Sequence, residues 1–251
     1  MANENKKDSA PIVHVITLER TPERRQAYLE KNSHINSIFC KAIDGKKINV
    51  EEYINKNVFE RNLPYSEGAY GAAISHLSLW EKTINENKPH TIAEDDAIFR
   101  LDFNECFNKI NKELDEDWDL ILWGWNFDSI LSFNVMPDIS PTVMLFNQAK
   151  LRESTEQFQK VTTKSHLIAL DKCGGSVAYT ISPKGAEKFK NLCFPLKNFS
   201  TFFPVINKNI ANYGIDIAMA HYYSQTSSFV CFPPLAITKN EHEISTIQNQ
   251  P

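Results

Sequence analysis

The chain predicts an α/β fold: a mixed, mostly parallel central sheet flanked by helices. Three observations carry this reading. Ile12-Val13-His14-Val15-Ile16 is a β-branched run, followed by Thr21-Pro22 and a helical stretch to about Lys31, then by a second extended run from Ile38 to Ile43. Strand, helix, strand at that spacing is a βαβ unit, and such a crossover pairs its strands in parallel. Further on, an amphipathic helix feeds a short apolar run that ends in three consecutive acids, Glu94-Asp95-Asp96.

Each element follows from local signals. Thr21 is placed as the cap of the first helix and Pro22 at its first position, where the missing N–H costs nothing. Asp44-Gly45 is a turn dipeptide that ends the second strand. Residues 49–62 read as a short helix. From Glu67 to Asn85, the residues Tyr70, Ala73, Ile74, Leu77, Trp80 and Ile84 fall on one helical face. Thr91-Ile92-Ala93 is the next strand, and residues 102–114 form another amphipathic helix. Trp118 to Trp123 is an apolar strand. Residues 126–165 carry scattered Pro, Asn, Ser and Gln with no sustained period, and read as an irregular excursion at the edge of the fold. Gly174-Gly175-Ser176 leads a strand from Val177 to Ile181. Ser182-Pro183 opens a helix to about Leu192, Asp216 to Tyr223 is a short helix, and Phe229 to Ile237 is extended but broken at Pro233-Pro234.

With 251 residues, 42% of them hydrophobic, the chain can bury a substantial core. Lys and Arg number 27 against 31 Asp and Glu, so there is no basic excess of the kind a nucleic-acid surface needs. The five cysteines, Cys40, Cys106, Cys173, Cys193 and Cys231, are odd in number and lack metal-ligand spacing, which points to reduced thiols. Residues 1–11 are polar with no apolar leader, and no run approaches membrane-spanning length. The expectation is a cytoplasmic protein, with room for a peripheral membrane contact.

The acids carry the chemistry. Three carboxylates at a strand end repel one another unless a cation sits among them, and hard divalent cations take carboxylate oxygens. If the strand alternation persists, Glu94 and Asp96 point one way and Asp95 the other, a two-carboxylate claw. A solvated acidic turn is the competing reading. At the carboxyl end of a strand in an open sheet, such a claw most naturally holds a polyphosphate through a metal.

Four blocks, in order, sharpen this. They are His14-Val15-Ile16-Thr17-Leu18-Glu19-Arg20 with Arg24-Arg25 and Ala42-Ile43-Asp44-Gly45; Gly68-Ala69-Tyr70-Gly71-Ala72-Ala73-Ile74-Ser75-His76-Leu77-Ser78-Leu79-Trp80; Glu94-Asp95-Asp96; and Gly174 to Ser182 with Gly185-Ala186. A weaker match follows at Phe232 to Ala236 and at Ser245-Thr246-Ile247. In these blocks the chain resembles glycosyltransferase family 25. The resemblance implies a GT-A type nucleotide-sugar-binding fold and transfer of a hexose, usually galactose, from a UDP-sugar with inversion. It implies Mn²⁺ or Mg²⁺ as cofactor and an oligosaccharide or lipid-linked glycan as acceptor. It divides the chain into a polar tail at 1–11, a donor-binding half at 12–125, an acceptor-side half at 126–247 and a tail at 248–251.

The same resemblance distributes roles. Glu94 and Asp96 stand in the metal position, with Asp95 beside them on the donor. Thr17, Leu18, Arg20 and Arg24 fall in the loop and helix that hold the nucleotide, although both arginines also suit a solvated helix face. Asp44 is placed on a ribose hydroxyl, or in an ordinary Asp-Gly turn. Ser75 and His76 face the donor, or His76 is a packing histidine. Gly174 and Gly175 let the backbone pass close to a substrate. Asp216 is the general base that an inverting transfer needs, its rival reading being a plain helix cap; Asp171 and Glu187 are reserves. His242, and behind it His221, are candidates for a late metal ligand. Trp123 and Trp125 are placed either against a sugar face or in the core. Two other functions use the same acids: a catalytically idle nucleotide-sugar-binding protein, and a metal-dependent phosphohydrolase of sugar nucleotides.

Overall fold

A computed structural model describes residues 10–115, 117–136 and 139–240 of the chain. The opening unit is β1 (Val13–Thr17), α1 (Pro22–Lys31) and β2 (Ser37–Lys41), and β1 and β2 pair in parallel with Val13 opposite Ser37. Thr21 occupies the cap position of α1, but its hydroxyl turns back to the Leu18 carbonyl instead of capping the helix. Next come α2 (Val50–Asn55) and α3 (Glu67–Glu86). Ser66 caps α3 through the Ala69 amide, and Asn87 ends it at φ 48, the left-handed stop that Asn tolerates. β3 (His90–Glu94), β4 (Ala97–Phe99), α4 (Phe103–Glu113) and β5 (Leu120–Gly124) follow where the apolar runs put them.

The described residues of 126–165 hold regular structure where the sequence predicts none. They include the antiparallel pair β6 (Leu131–Met136) and β7 (Ser140–Met144) and the short helices α5 (Gln148–Glu153) and α6 (Thr155–Gln159). Their side chains lack a sustained period because the pair lies at the sheet edge, where only its first residues are buried. Beyond lie β8 (His166–Cys173), β9 (Ala178–Ile181), α7 (Pro183–Cys193), the hairpin β10 (Ser200–Phe203) with β11 (Lys208–Ala211), then α8 (Ile215–Tyr222), β12 (Ser228–Phe232) and β13 (Ala236–Thr238).

One nine-stranded sheet has the order β2-β1-β3-β9-β5-β12-β8-β6-β7. β2, β1, β3, β5, β12 and β6 run in one direction, and β9, β8 and β7 run against them. The mixed sheet is thus mostly co-directional, but β9 wedges between β3 and β5 and makes both of those contacts antiparallel.

Helices cover both faces. Along β5, Leu120 and Leu122 join Trp80, Tyr179 and Phe189 in one core, while Ile121 and Trp123 join Val13, Val15, Phe103 and Phe107 in the other. The alternation of the strand delivers successive side chains to opposite layers, so a buried central strand reads as an unbroken apolar run. Among the described residues no helix is long and apolar enough to cross a membrane.

Candidate active site

A cavity of about 1050 Å³ opens where β1 and β3 end, with Thr17 and Glu94 in its wall. Carboxyl ends of parallel strands are where open α/β sheets leave space for ligands. The loop after β2 forms one side. Ile43 donates its amide to Ser75 Oγ at 2.8 Å, and Ser75 donates in turn to the Gly71 carbonyl at 2.7 Å. A Cβ at Gly45 would overlap the Glu67 carbonyl, and one at Gly71 would overlap the Ile43 carbonyl. Two glycines thus let this loop lie directly on the first turns of α3. Ser75 is the fastener between them, a job that uses both its donor and its acceptor capacity.

The acids divide. β3 ends at Glu94, and Asp95-Asp96 form the turn into β4, so the strand alternation expected of the triplet stops one residue early. Asp95 points back to the opening unit. It accepts from Thr17 Oγ1 at 2.8 Å and from Arg24 Nε at 2.7 Å, and Arg24 Nη2 lies 2.5 Å from the same carboxylate. The cation that the sequence argument demanded is, for Asp95, a guanidinium. That bonding occupies Asp95, and it places Arg24 in the cavity wall and not on a solvated helix face.

Glu94 and Asp96 are left with less compensation. Among the described residues, Glu94 accepts a single side-chain hydrogen bond, from Ser176 Oγ at 3.0 Å. Burial, and after it the Asp96 charge, hold the Glu94 carboxyl well above the usual carboxylate range. Burial pushes Asp96 up as well, against the pull of Arg24, whose Nη2 lies 3.4 Å from its Oδ2. Oδ1 of Asp96 is buried with no hydrogen-bond partner among the described residues. Two neighbouring carboxylates with unused acceptor capacity fit a hard divalent cation. Among the described residues no three His, Cys, Asp or Glu side chains are grouped to hold a metal, so such an ion would complete its shell with phosphate oxygens and water, as Mg²⁺ commonly does.

The far end of the cavity comes from the segments before β9 and at the start of α8. Gly175 adopts φ +88, which excludes a side chain, and a Cβ there would press on Asn126. Its amide donates to Asp216 Oδ2 at 2.8 Å. Asp216 sits in the first turn of α8 with Gly214 in the cap position, so it is not the cap. Burial raises its carboxyl pKa, and backbone N–H groups, that of Gly175 first, oppose the rise.

The cavity thus gathers Thr17, Leu18, Arg20, Arg24, Asp44, Ser75, His76, Glu94, Asp95, Asp96, Gly175 and Asp216. Asp44 accepts from Arg20 Nε at 3.2 Å and from the Lys46 amide at 3.3 Å, so it is both turn residue and wall. His76 is buried in α3, its Nδ1 2.8 Å from the Tyr179 hydroxyl, which also accepts from Trp80 Nε1 at 2.8 Å. That makes it a packing histidine whose ring forms part of the cavity floor.

Several expectations fail on position. Gly174 stays outside the wall and instead donates its amide to Ser129 Oγ. Asp171 is bound by Ser132 and Lys172 on β8, Glu187 is exposed on α7, and His221 packs between Phe199 and Tyr222; none reaches the cavity. Trp123 and Trp125 are fully buried core residues, so neither meets a sugar. His242 lies outside the described residues. The sequence reading also passed over Ser176, Asn126, Tyr213, Thr238, Lys239 and Asn240, all of which line the cavity. Ser176 was detectable beside Gly174-Gly175; the others stand in stretches with no linear signal.

Comparison with known proteins adds a family and several relatives. Residues 10–205 match the family model described as "Glycosyltransferase family 25 (LPS biosynthesis protein)". Human procollagen galactosyltransferase 2 is 24% identical over 190 residues, covering 70% of this chain and 26% of that protein. The mimivirus "Procollagen lysyl hydroxylase and glycosyltransferase" is 23% identical over 220 residues, covering 77% of this chain and 21% of that one. The mouse "Inactive glycosyltransferase 25 family member 3" is 27% identical over 126 residues, covering 45% of this chain and 21% of that protein. The chain therefore spans about a quarter of the length of the curated relatives it matches.

Proposed function

The chain belongs to glycosyltransferase family 25, and on that premise we propose that it transfers a hexose, galactose first, from a UDP-sugar to a hydroxyl of an oligosaccharide or lipid-linked glycan, with inversion. The observation that carries the reading is the pair Glu94 and Asp96, under-compensated and side by side in the wall of a cavity large enough for a sugar nucleotide. Glu94 and Asp96 would hold Mn²⁺ or Mg²⁺, which would supply charge neutralisation for the diphosphate leaving group. The chain's own residues do the rest. Arg24, fixed by Asp95, adds a permanent positive charge beside that group. Thr17, Leu18 and Asp44 form the side on which the nucleoside rests. Asp216, whose raised carboxyl pKa suits proton uptake, accepts the proton of the attacking hydroxyl at a carboxylate oxygen. A lipid-linked acceptor would place the protein against the cytoplasmic face of a membrane.

The test is a donor screen for UDP or GDP release, with and without Mn²⁺, in the presence and absence of glycan acceptors. Release from UDP-galactose that needs both Mn²⁺ and an acceptor supports the transfer. The relative named inactive favours a second reading, an idle nucleotide-sugar binder. Saturable UDP binding with no turnover across donors and acceptors would establish that reading in place of the first. Acceptor-independent cleavage would instead indicate a phosphohydrolase, for which the described residues offer no further metal cluster.

A further inference from the structure

The segment Thr238–Asn240 leaves β13 and runs along the cavity wall beyond the ladder with β4. What holds it is a helix from the 126–165 stretch. Gln148 Nε2 and Arg152 Nε both donate to the Lys239 carbonyl at 2.8 Å, and Arg152 Nη2 donates to the Asn240 carbonyl at 2.7 Å. From the other side, Asn240 Nδ2 donates to Asp128 Oδ2 at 2.7 Å. A planar guanidinium on two consecutive carbonyls is a geometry that Lys cannot reproduce.

The clamp extends toward the acids. The Asn240 amide donates to Thr238 Oγ1 at 2.9 Å. In the β4–β13 ladder Thr238 lies opposite Ala97, the residue that follows Asp96. The bonds of Arg152 and Asn240 therefore fix the stretch of wall beside Asp96.

We infer that Arg152, assisted by Gln148, is a positioning residue that fixes the Thr238–Asn240 segment and through it the cavity wall beside Asp96. This rests on the reading of Asp96 as part of the donor site. It also assigns a task to the 126–165 stretch on the donor side: α5 anchors the wall beside the acids.

The experiment uses the full chain, with Mn²⁺ and UDP as probes. Arg152→Met keeps the aliphatic stem and removes two bonds to the segment. Amide exchange in a peptide covering residues 236–240, without ligand, should quicken about tenfold, the factor expected from two net hydrogen bonds. Mn²⁺ affinity in the presence of UDP should fall about tenfold on the same scale, and Arg152→Lys should restore neither. Thr238→Val removes the acceptor of the Asn240 amide and should weaken Mn²⁺ binding similarly, and adding Arg152→Met to it should weaken it no further, because both loosen the same stretch of wall. Unchanged exchange in Arg152→Met, or fully additive losses in the double variant, overturns the inference. If Arg152→Met does not fold, Gln148→Ala removes one bond, and it should quicken exchange about threefold; unchanged exchange there overturns the inference equally. A wild-type chain that binds no UDP with Mn²⁺ defeats the donor-site reading, and the exchange measurement then decides the clamp by itself.

Discussion

Arg24 Nη2 lies 2.5 Å from Asp95 Oδ1, and both side chains are largely shielded from solvent. Breaking a buried pair by removing one partner leaves a charge without compensation, typically at a cost of about 3 kcal/mol or more. Arg24→Met should therefore lower the unfolding free energy by about that amount, read from denaturant titration. Adding Asp95→Asn should recover part of the loss, because the stranded carboxylate is gone. A double variant no more stable than Arg24→Met would show that the pair is not the source of the cost.

Chelation with EDTA should abolish UDP-galactose turnover, and Mn²⁺ should restore it. In Asp96→Ala neither metal addition nor excess donor should restore it, while the circular dichroism spectrum stays that of the wild type. Undiminished turnover in Asp96→Ala sinks the metal role.

Asp216→Asn preserves the size of the side chain and its ability to accept from Gly175, but cannot take a proton. Turnover should fall by about 10² to 10⁴, the usual range for loss of a general base, with UDP affinity changed only a few-fold. Collapse of UDP binding would instead make Asp216 a donor-side or structural residue.

Gly45→Ala drives a methyl group into the Glu67 carbonyl, backbone against backbone, with no flexible side chain to yield. The loop must lift from α3, at a cost of about 1–3 kcal/mol or more. The thermal midpoint should drop and UDP affinity should fall with it, since Asp44 and Ile43 move together. An alanine variant with wild-type stability would mean that the loop is looser than its contacts imply.

Burial lowers the pKa of His14 to about 4, with His90, Lys82 and Lys88 opposing its charge and Glu86 favouring it. In the unfolded chain the same group titrates near 6.5. Between pH 6.5 and 4 the unfolded state therefore binds the extra proton, and the stabilisation present above 6.5 is lost as pH falls through that window. The buried carboxyls Glu94, Asp96 and Asp216 are shifted upward and pull the opposite way. The measurement is thus a difference: stability against pH in the wild type and in His14→Gln, whose curve should be flatter on acidification over pH 6.5 to 4. Parallel curves would exclude His14 as a source of acid sensitivity.

Much of this was legible in the linear sequence, for local reasons. The βαβ opening, α3, α4 and α7 announce themselves because period and cap are properties of neighbours along the chain. Leu120 to Gly124 reads as a strand because a strand buried on both faces must be apolar throughout. The acids stand out because three carboxylates at a strand end demand an explanation. By contrast, β6 and β7 were unreadable: an edge hairpin needs few buried residues, so its period is weak. β9 was seen as a strand but not as the wedge between β3 and β5, since strand order depends on contacts far apart in sequence.

The sequence by itself determined the central strands and the long helices, the family and the set of acids, because those are written in adjacent residues. Tertiary structure decided how the acids differ. Asp95 is 71 residues from the arginine that neutralises it, and Glu94 is 82 from the serine that donates to it. A carboxylate's environment is set by charges and donors within a few ångströms, and the fold alone chooses which residues those are.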